Sequence, residues 1–186
     1  MAEVNLTLYH GTPHDFTSFS TKKINSGGGK QSFGWGLYFT NDKDVAIFYA
    51  KALSKNNIAY LYTVTFEGGE FLEWEHGYDE EFRIKFINKI NECGYDKMPI
   101  KIDDKIIHIT IENGLYELYD IKHIYESLLL LFNNHKRVVE FLTSLGYVGI
   151  KYPTERIQSV YDKRFNYVIF NDDKIKIVNK EKIQIV

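Results

Sequence analysis

The order of apolar and polar positions predicts strands at both ends of the chain and helices in its middle. Residues 5–10 alternate weakly and stop at a Gly-Thr-Pro turn, which is typical of a strand that runs into a loop. Residues 37–39 predict a second short strand. Residues 59–66 (AYLYTVTF) alternate and are rich in aromatic and β-branched residues, which predicts a third strand. The N-terminal part is therefore expected to contribute strands to a sheet.

A helix is predicted directly after the second strand. Asn41 is expected to cap it, with Asp42 and Asp44 in the first turn, where exposed backbone amides favour negative charge. Its apolar residues recur at the three-and-four spacing of a single buried face, which consists of Val45, Phe48, Tyr49, Ala52 and Leu53. Tyr49 is therefore expected to point inward.

From residue 74 to residue 145 the pattern is mainly helical. Helices are predicted at 79–93, 115–132 and 135–145, the last closed by Gly146, with a strand at 105–111 between the first two. Three more strands are predicted in the tail, at 147–152, 166–171 and 174–178, and a polar loop at 153–165 precedes the second of these.

Strands at the two ends of a chain must pair if they are to bury their apolar faces. We therefore expect one α+β domain over residues 1–186, with a sheet built from N- and C-terminal strands and a helical insertion at about 75–145. A length of 186 residues is enough for one domain with a sizeable core.

Composition narrows the function classes only slightly. The formal net charge of −2 gives no overall attraction to nucleic acid or anionic lipid, and Cys93 is the only cysteine, so an intrachain disulfide is excluded. No metal site is predicted. The longest aliphatic run, at 128–132, is too short to span a bilayer, and the N-terminus lacks the pattern of a secretion signal. We expect a cytoplasmic protein with no membrane partner.

Three segments carry a resemblance to a known family. LYHGTPHDF, FGWGLYFTNDKDVAIFYA and NYVIFNDDKIKI occur in an order and placing that resembles ADP-ribosyltransferases of the His-Tyr-Glu class, in particular the small family found in phage and mobile-element polyvalent proteins. The resemblance covers the first 66 residues and about the last 45. It implies an ADP-ribosyltransferase-like split mixed sheet and NAD+ as co-substrate.

The first segment implies half of a nicotinamide pocket. A lone histidine at a strand end is more often structural, but the resemblance implies that His10 lies by a ribose hydroxyl and that the backbone of Gly11 faces the nicotinamide carboxamide, with Thr12 beside it. A backbone N–H and C=O present the donor and acceptor that a carboxamide needs, and glycine allows close approach.

The second segment implies the aromatic part of that pocket. Aromatic residues at this spacing are more often core, but the resemblance implies that Tyr38 and Tyr49, eleven residues apart, place their rings on either side of the nicotinamide, with Phe39 in the same cofactor-binding set. A serine hydroxyl that some relatives direct at the carboxamide falls here on Ala46, so that hydrogen bond is missing or supplied elsewhere.

The third segment departs from the family pattern. Where relatives have a catalytic glutamate at the start of the strand, this chain has Asn166. A carboxylate accepts the ribose 2′-hydroxyl and offsets positive charge that develops as the bond to nicotinamide breaks, whereas asparagine can only accept the hydrogen bond. On the scale of one lost electrostatic group, the change costs about 3 kcal/mol of transition-state stabilisation. A nucleophilic acceptor, such as a nucleobase nitrogen or a guanidine, needs less activation.

The loop at 153–165 resembles the acceptor-recognition loop of the family. Its candidates are Glu155, Gln158 and Ser159, and Glu155 or Asp162 could also supply the missing acid; each alone is more often a solvated loop residue. Gly27, Gly28 and Gly29 lack the rest of a phosphate-binding motif, so they predict either a flap near the NAD+ site or a plain surface loop.

These features together predict a mono-ADP-ribosyltransferase that cleaves NAD+ and modifies a macromolecule, with nucleic acid slightly favoured over protein. The resemblance suggests a bacterial or phage toxin or effector that an antitoxin partner restrains. The alternatives are a catalytically weak module that binds NAD+ or ADP-ribose, and an interaction domain in which every candidate residue belongs to the core.

Overall fold

The computed structural model describes residues 4–24, 31–55, 57–95, 97–102, 105–110, 120–154 and 164–185. The strands in these ranges are β1 (Val4–Thr12), β2 (Leu37–Thr40), β3 (Ile58–Gly68), β4 (Glu70–Glu73), β5 (Lys97–Ile102), β6 (Lys105–Thr110), β7 (Tyr147–Pro153), β8 (Phe165–Ile169) and β9 (Ile175–Gln184). The helices are α1 (Lys43–Leu53), α2 (Glu80–Glu92), α3 (Ile121–Phe132) and α4 (His135–Ser144), with a short 3-10 helix at Thr21–Lys23.

Strands from both ends of the chain form one mixed seven-stranded sheet in the order β4-β7-β8-β2-β1-β3-β9. This confirms the predicted α+β class. The β1–β2 junction consists of a single register pair, Tyr9 opposite Thr40, whereas β1 pairs with β3 along its whole length, from Val4 to Thr12. The sheet is thus split between β1 and β2, into β4-β7-β8-β2 on one side and β1-β3-β9 on the other.

One face of this sheet holds a hydrophobic core. Alternate residues of β1, β2, β3 and β8 point to the same side, because successive side chains in a strand face opposite ways. The buried members of this cluster are Leu8, Phe39, Tyr62, Val64, Phe66, Tyr167 and Ile169. The core joins strands from both halves of the split sheet.

Helix α1 packs on β1 through small residues, so the predicted inward face is wrong. Ala46 and Ala50 are the buried residues of the helix, whereas Tyr49 is 50% exposed and Phe48 42%. A Cβ on Gly11 would overlap the carbonyl oxygen of Ala46. The helix therefore approaches the strand too closely for large side chains between them, and its aromatic residues point outward.

The N-terminus of α1 also differs from the prediction. Asp42, not Asn41, is the capping residue, and its Oδ1 accepts hydrogen bonds from the N–H groups of Asp44 (2.8 Å) and Val45 (3.1 Å). Asn41 instead joins β2 to β8: its N–H donates to the Phe165 carbonyl (3.0 Å), and its Oδ1 accepts from the Phe165 N–H (2.8 Å). Asn41, which local spacing predicts as the cap, is thus hydrogen-bonded to Phe165, a residue distant in sequence.

The remaining strand predictions are correct in place but not in length. β9 continues to Gln184, well beyond the predicted end at residue 178, because it pairs with β3 over most of that strand. β4 and β5 were not predicted, while β6 confirms the strand expected at 105–111. β1 extends two residues past His10, which therefore lies within the strand instead of at its end.

The chain divides into two compact units. The sheet unit comprises Met1–Phe71 and Val148–Val186, and the insertion unit is Leu72–Tyr147. The predicted helices of the middle segment appear in the insertion unit as α2, α3 and α4, although residues 115–119 lie outside the described part. Gly146, at φ 99°, ends α4 as expected.

The insertion unit has a core of its own. It consists mainly of aliphatic and aromatic side chains of its three helices, and Phe86 and Ile124 are among the most buried. No helix in the described part of the chain has the length and apolarity needed to cross a membrane. The described residues also contain no cluster of three or more His, Cys, Asp or Glu that could hold a metal ion.

Candidate active site

His10 lies where the two halves of the sheet separate. Extending the Tyr9–Thr40 register by two residues would place Tyr38 opposite Gly11, but the strands do not pair there. The imidazole occupies this position instead, with Nδ1 2.8 Å from the Tyr38 carbonyl oxygen. Because a carbonyl can only accept, Nδ1 carries the proton and donates. The side chain thus replaces a backbone ladder bond across the gap.

This hydrogen bond leaves Nε2 of neutral His10 as an acceptor. No described residue bonds to Nε2, and in the described part of the chain no buried side-chain nitrogen or oxygen lacks a partner. Nε2 therefore reaches solvent. An imidazole nitrogen with an open lone pair is suited to accept a hydrogen bond from a hydroxyl group of a ligand.

Aromatic rings enclose the body of the imidazole. The ring centroid of Phe19 lies 5.1 Å away in an edge-on arrangement, that of Phe39 5.7 Å away and that of Phe16 6.3 Å away. Burial lowers the pKa of His10 below its usual value, and the hydrogen bond to the Tyr38 carbonyl opposes this effect only in part. His10 is accordingly neutral at pH 7, which is the form with an acceptor at Nε2.

Gly11 and Thr12 continue β1 toward the loop. The Cβ position of Gly11 faces α1, so its lack of a side chain is explained by the close approach of Ala46 and Ala50. Only its backbone is left to contact a ligand. Thr12 is buried, and its Oγ1 accepts a hydrogen bond from the His14 N–H at 3.3 Å, which shapes the turn after the strand. His14 itself is exposed.

Tyr38 is half-buried, and its hydroxyl is held by the turn that precedes β2. The hydroxyl donates to the Gly34 carbonyl (2.8 Å) and accepts from the Phe33 N–H (3.2 Å). The orientation of the ring is therefore fixed by local hydrogen bonds. The backbone carbonyl of the same residue accepts the hydrogen bond from His10 Nδ1.

Tyr49 and Phe39 lie in opposite environments. Tyr49 is half-exposed on α1, and its ring meets that of Phe48 edge-on at 5.7 Å. Phe39 is only 3% exposed, and its ring contacts His10 and Phe19. An exposed ring is available to stack on a ligand, whereas the buried ring of Phe39 supports the imidazole from the core side.

Asn166 is held in the middle of the sheet, between β2 and β7. It lies opposite Thr40 on one side and Tyr152 on the other. The residue is 8% exposed, and its side-chain amide has no bond to a described residue. Since no buried side-chain atom in the described ranges lacks a partner, this amide opens to solvent. It can therefore offer a hydrogen-bond acceptor to a ligand.

The side chains of His10 and Asn166 leave the sheet on opposite faces. Register pairs place Tyr9, Thr40 and Asn166 in one row across β1, β2 and β8, and directly paired residues share a face. His10 follows Tyr9 and so points to the other face, where it packs on Phe39. A single ligand can reach the side chains of both His10 and Asn166 only where β1 and β2 separate.

A hydrogen-bonded latch, missed by the sequence analysis, fixes the start of β8. Thr40 Oγ1 donates to the Phe165 carbonyl (3.2 Å), beside the two bonds from Asn41 to the same residue. Asp42 adds an ion pair to Arg164 at 3.4 Å. These partners are more than 120 residues apart, so no local signal indicates them. Together they hold the residue that precedes Asn166.

The predicted acceptor loop is described only at its base. Thr154 donates to the Arg164 carbonyl from both its N–H (3.3 Å) and its Oγ1 (3.2 Å), which closes the loop between β7 and β8. The loop candidates Glu155, Gln158, Ser159 and Asp162 lie outside the described residues, as do the glycines at 27–29.

Comparison with known proteins identifies the class. A family model described as ADP-ribosyltransferase in polyvalent proteins matches residues 4–185. The chain belongs to this family of ADP-ribosyltransferases, as its three motifs indicated, and the family uses NAD+ as substrate. Neither the curated proteins nor the solved structures contain a match to the chain.

Proposed function

We propose that this protein is a mono-ADP-ribosyltransferase that uses NAD+ and modifies a macromolecule. The bond between nicotinamide and the ribose carbon breaks, nicotinamide departs, and a nucleophile of the acceptor forms the new bond to that carbon and loses its proton. The observation that supports this best is the hydrogen bond from His10 to Tyr38, which holds the imidazole at the gap between β1 and β2 and leaves its Nε2 as an acceptor.

NAD+ is proposed to bind in that gap. Nε2 of His10 accepts a hydrogen bond from a ribose hydroxyl, and the backbone of Gly11 meets the carboxamide of nicotinamide, with Thr12 adjacent. The exposed ring of Tyr49 and the fixed ring of Tyr38 lie on the two faces of the nicotinamide. Phe39 contributes through His10, because its own ring is buried.

Asn166 is proposed to accept the 2′-hydroxyl of the nicotinamide ribose. Its solvent-accessible amide and its position one strand from the split, opposite Thr40 of β2, support this role. Because an amide carries no charge, it contributes less than a carboxylate to stabilising the positive charge that develops on the ribose. An acceptor that is a good nucleophile without activation fits such a site, so a nucleic-acid base is favoured over a protein side chain.

The wider biological role follows the same proposal. Glu155, Gln158 and Ser159 are proposed to recognise the acceptor, because the loop that contains them begins and ends beside Asn166. A cytoplasmic bacterial or phage toxin or effector, restrained by an antitoxin, is the proposed context. The two compact units are proposed to make one domain over residues 1–186, since the family model runs through both.

A second candidate function is a module that binds NAD+ or ADP-ribose with little or no transfer. The asparagine at position 166, in place of an acid, favours it. NAD+ bound without release of nicotinamide would support this second function and contradict the first.

Incubation of the protein and a cell lysate with NAD+ labelled in its adenylate part tests the proposal. We expect labelled macromolecules and released nicotinamide, both lost with His10→Ala and both retained with His14→Ala. Digestion with nuclease or with protease identifies the acceptor: removal of the label by nuclease supports a nucleic-acid acceptor, and removal by protease contradicts it. Absence of both label and free nicotinamide would contradict transfer altogether.

A further inference from the structure

Tyr62 lies directly across from His10 and is one of the most buried residues of the chain. The two residues are register partners in the β1–β3 ladder, so their side chains share the core face of the sheet. Tyr62 is fully buried, and burial raises the pKa of its hydroxyl. A fully buried hydroxyl has to be hydrogen-bonded, and its partners show what the residue holds in place.

The partners of this hydroxyl lie in the segment that follows β1. The Tyr62 oxygen accepts the Phe16 N–H at 2.7 Å, and its proton is directed to the Phe16 carbonyl at 3.1 Å, with the His14 carbonyl and Asp15 Oδ1 each at 3.4 Å. One side chain from β3 thus binds both backbone groups of Phe16. The loop is anchored at this residue.

The rings of Phe16 and Phe19 connect Tyr62 to His10. Phe16 stacks on Tyr62, with centroids 4.3 Å apart and planes at 3°. Phe19 meets Tyr62 at 5.7 Å and Phe16 at 4.9 Å, both edge-on, and lies closest to the imidazole. Two of the three phenylalanine rings that enclose His10 are therefore held by the residue opposite it.

Two surface contacts support the same segment. Lys180 of β9 pairs with Asp15 at 2.7 Å, directly beside the Tyr62 hydroxyl. Thr21 donates from Oγ1 to Asp172 at 3.0 Å and ties down the other end. Both contacts are exposed in part, so the buried hydroxyl of Tyr62 is the central anchor.

We propose that Tyr62 is a positioning residue for the NAD+ site, which holds Phe16 and Phe19 against His10 and so keeps the imidazole in the orientation that presents Nε2 to the ligand. This rests on the proposed function for its effect on NAD+, but not for its effect on His10. Without the hydroxyl, the segment loses its anchor and water enters between the imidazole and the rings of Phe16 and Phe19. The hydrogen bond to the Tyr38 carbonyl is then held less firmly.

Tyr62→Phe tests this because it removes the hydroxyl and keeps the ring that stacks on Phe16. In this variant the pKa of His10, measured by NMR titration of the full chain, is expected to rise by about half a unit or more as the ring becomes hydrated. KM for NAD+ is expected to rise about fivefold or more, while kcat changes less than KM. The contact that weakens is the proposed one from His10 Nε2 to the ribose hydroxyl, which is made already when NAD+ binds.

Tyr125→Phe is the matched control. Tyr125 is a buried tyrosine of the insertion unit whose hydroxyl lies 3.2 Å from His135 Nδ1, so its loss tests the general effect of removing a buried hydroxyl. We expect an unchanged His10 pKa and an unchanged KM. If Tyr62→Phe does not fold, the His10 pKa and the KM for NAD+ of Asp15→Asn test the proposal instead. This change weakens the contacts of Asp15 with Lys180 and the Tyr62 hydroxyl, which hold the same segment.

A folded Tyr62→Phe protein with the wild-type His10 pKa and KM would overturn the proposal. Equal changes in Tyr125→Phe would overturn it as well. If the wild-type protein releases no nicotinamide, the proposed function fails, but the His10 titration still decides whether Tyr62 positions the imidazole.

Discussion

His10 and Tyr38 are joined by a hydrogen bond from the imidazole Nδ1 to a main-chain carbonyl, at the point where their strands stop pairing. The bond selects one tautomer and leaves Nε2 as an acceptor that is open to solvent. The gap between these strands is where we propose that NAD+ binds.

The affinity for NAD+ should depend on the protonation of His10. Burial lowers the pKa of the imidazole, so the neutral, accepting form persists to a pH below the usual midpoint of about 6.5. The Kd should be constant above that pH. Below the lowered pKa it should rise by about tenfold per pH unit, because Nε2 then carries a proton.

The free energy of unfolding should fall at low pH, as the affinity for NAD+ does. His10 binds protons more weakly in the folded than in the unfolded chain, so its contribution is complete above about pH 6.5 and is lost as pH falls through the folded pKa. Calorimetric titration with NAD+ from pH 5 to 8 measures the binding effect. The exposed His14 provides the control: His14→Gln should keep the profile, and a Kd that stays constant below the folded-state pKa of His10, located by NMR titration, would contradict the role of His10.

Gly11→Ala should destabilise the protein and weaken NAD+ binding. Its Cβ would overlap the Ala46 carbonyl oxygen, so α1 must shift away from β1, at about 1–3 kcal/mol of unfolding free energy. Gly94→Ala provides a comparison, because Gly94 has a φ of +75° but nothing near its Cβ position. It should cost about 1 kcal/mol from backbone strain and leave the Kd unchanged. Denaturant unfolding and NAD+ titration of both variants test this.

Tyr49→Ala should weaken NAD+ binding, although Tyr49 is exposed and its loss should not affect stability. A stacked ring contributes about 0.5–1.5 kcal/mol beyond area burial, so an increase of about three- to tenfold in Kd is expected. Phe48→Ala, at the neighbouring position of comparable exposure, is the control. Without a stacked ring the loss should stay below about 0.5 kcal/mol, so Kd should change less than about twofold. Equal effects of the two variants would argue against a specific stack on Tyr49.

Asn41→Ala should impair catalysis more than its effect on stability suggests. The change removes the acceptor for the Phe165 N–H and loosens the start of β8, next to Asn166. We expect about 1 kcal/mol of lost stability and a lower kcat. Asp42→Ala, which removes the α1 cap, should cost about 0.5–2 kcal/mol. Steady-state kinetics together with thermal unfolding of both variants separate the two effects, and a kcat that follows stability alone would contradict the latch.

All strands of the large sheet except β4 could be predicted from the sequence, because they alternate and end at turn residues. The inward face of α1 could not be. Apolar spacing selects the large residues Phe48 and Tyr49, whereas packing against Gly11 needs the small ones, Ala46 and Ala50. Only the position of β1 in space decides between these two faces.

The candidate site shows the same division between local and distant information. The motif around His10 was recognisable, but its hydrogen bond to Tyr38 depends on where two strands stop pairing. Local spacing predicts Asn41 as the cap of α1, but Asp42 is the cap. Asn41 is instead hydrogen-bonded to Phe165, which lies more than 120 residues later in the chain. Contacts over such separations leave no trace in a local pattern.

NAD+ is proposed to bind in the gap between β1 and β2, and its ADP-ribose to be transferred to the acceptor. Mass spectrometry of the acceptor, after incubation with NAD+ and wild-type, His10→Ala, Asn166→Ala or Asn166→Glu protein, measures this directly. We expect one added ADP-ribosyl group per modified site with wild type, none with His10→Ala, less with Asn166→Ala and modification at least equal to wild type with Asn166→Glu. Unmodified acceptor and intact NAD+ with both the wild-type protein and Asn166→Glu would contradict the account.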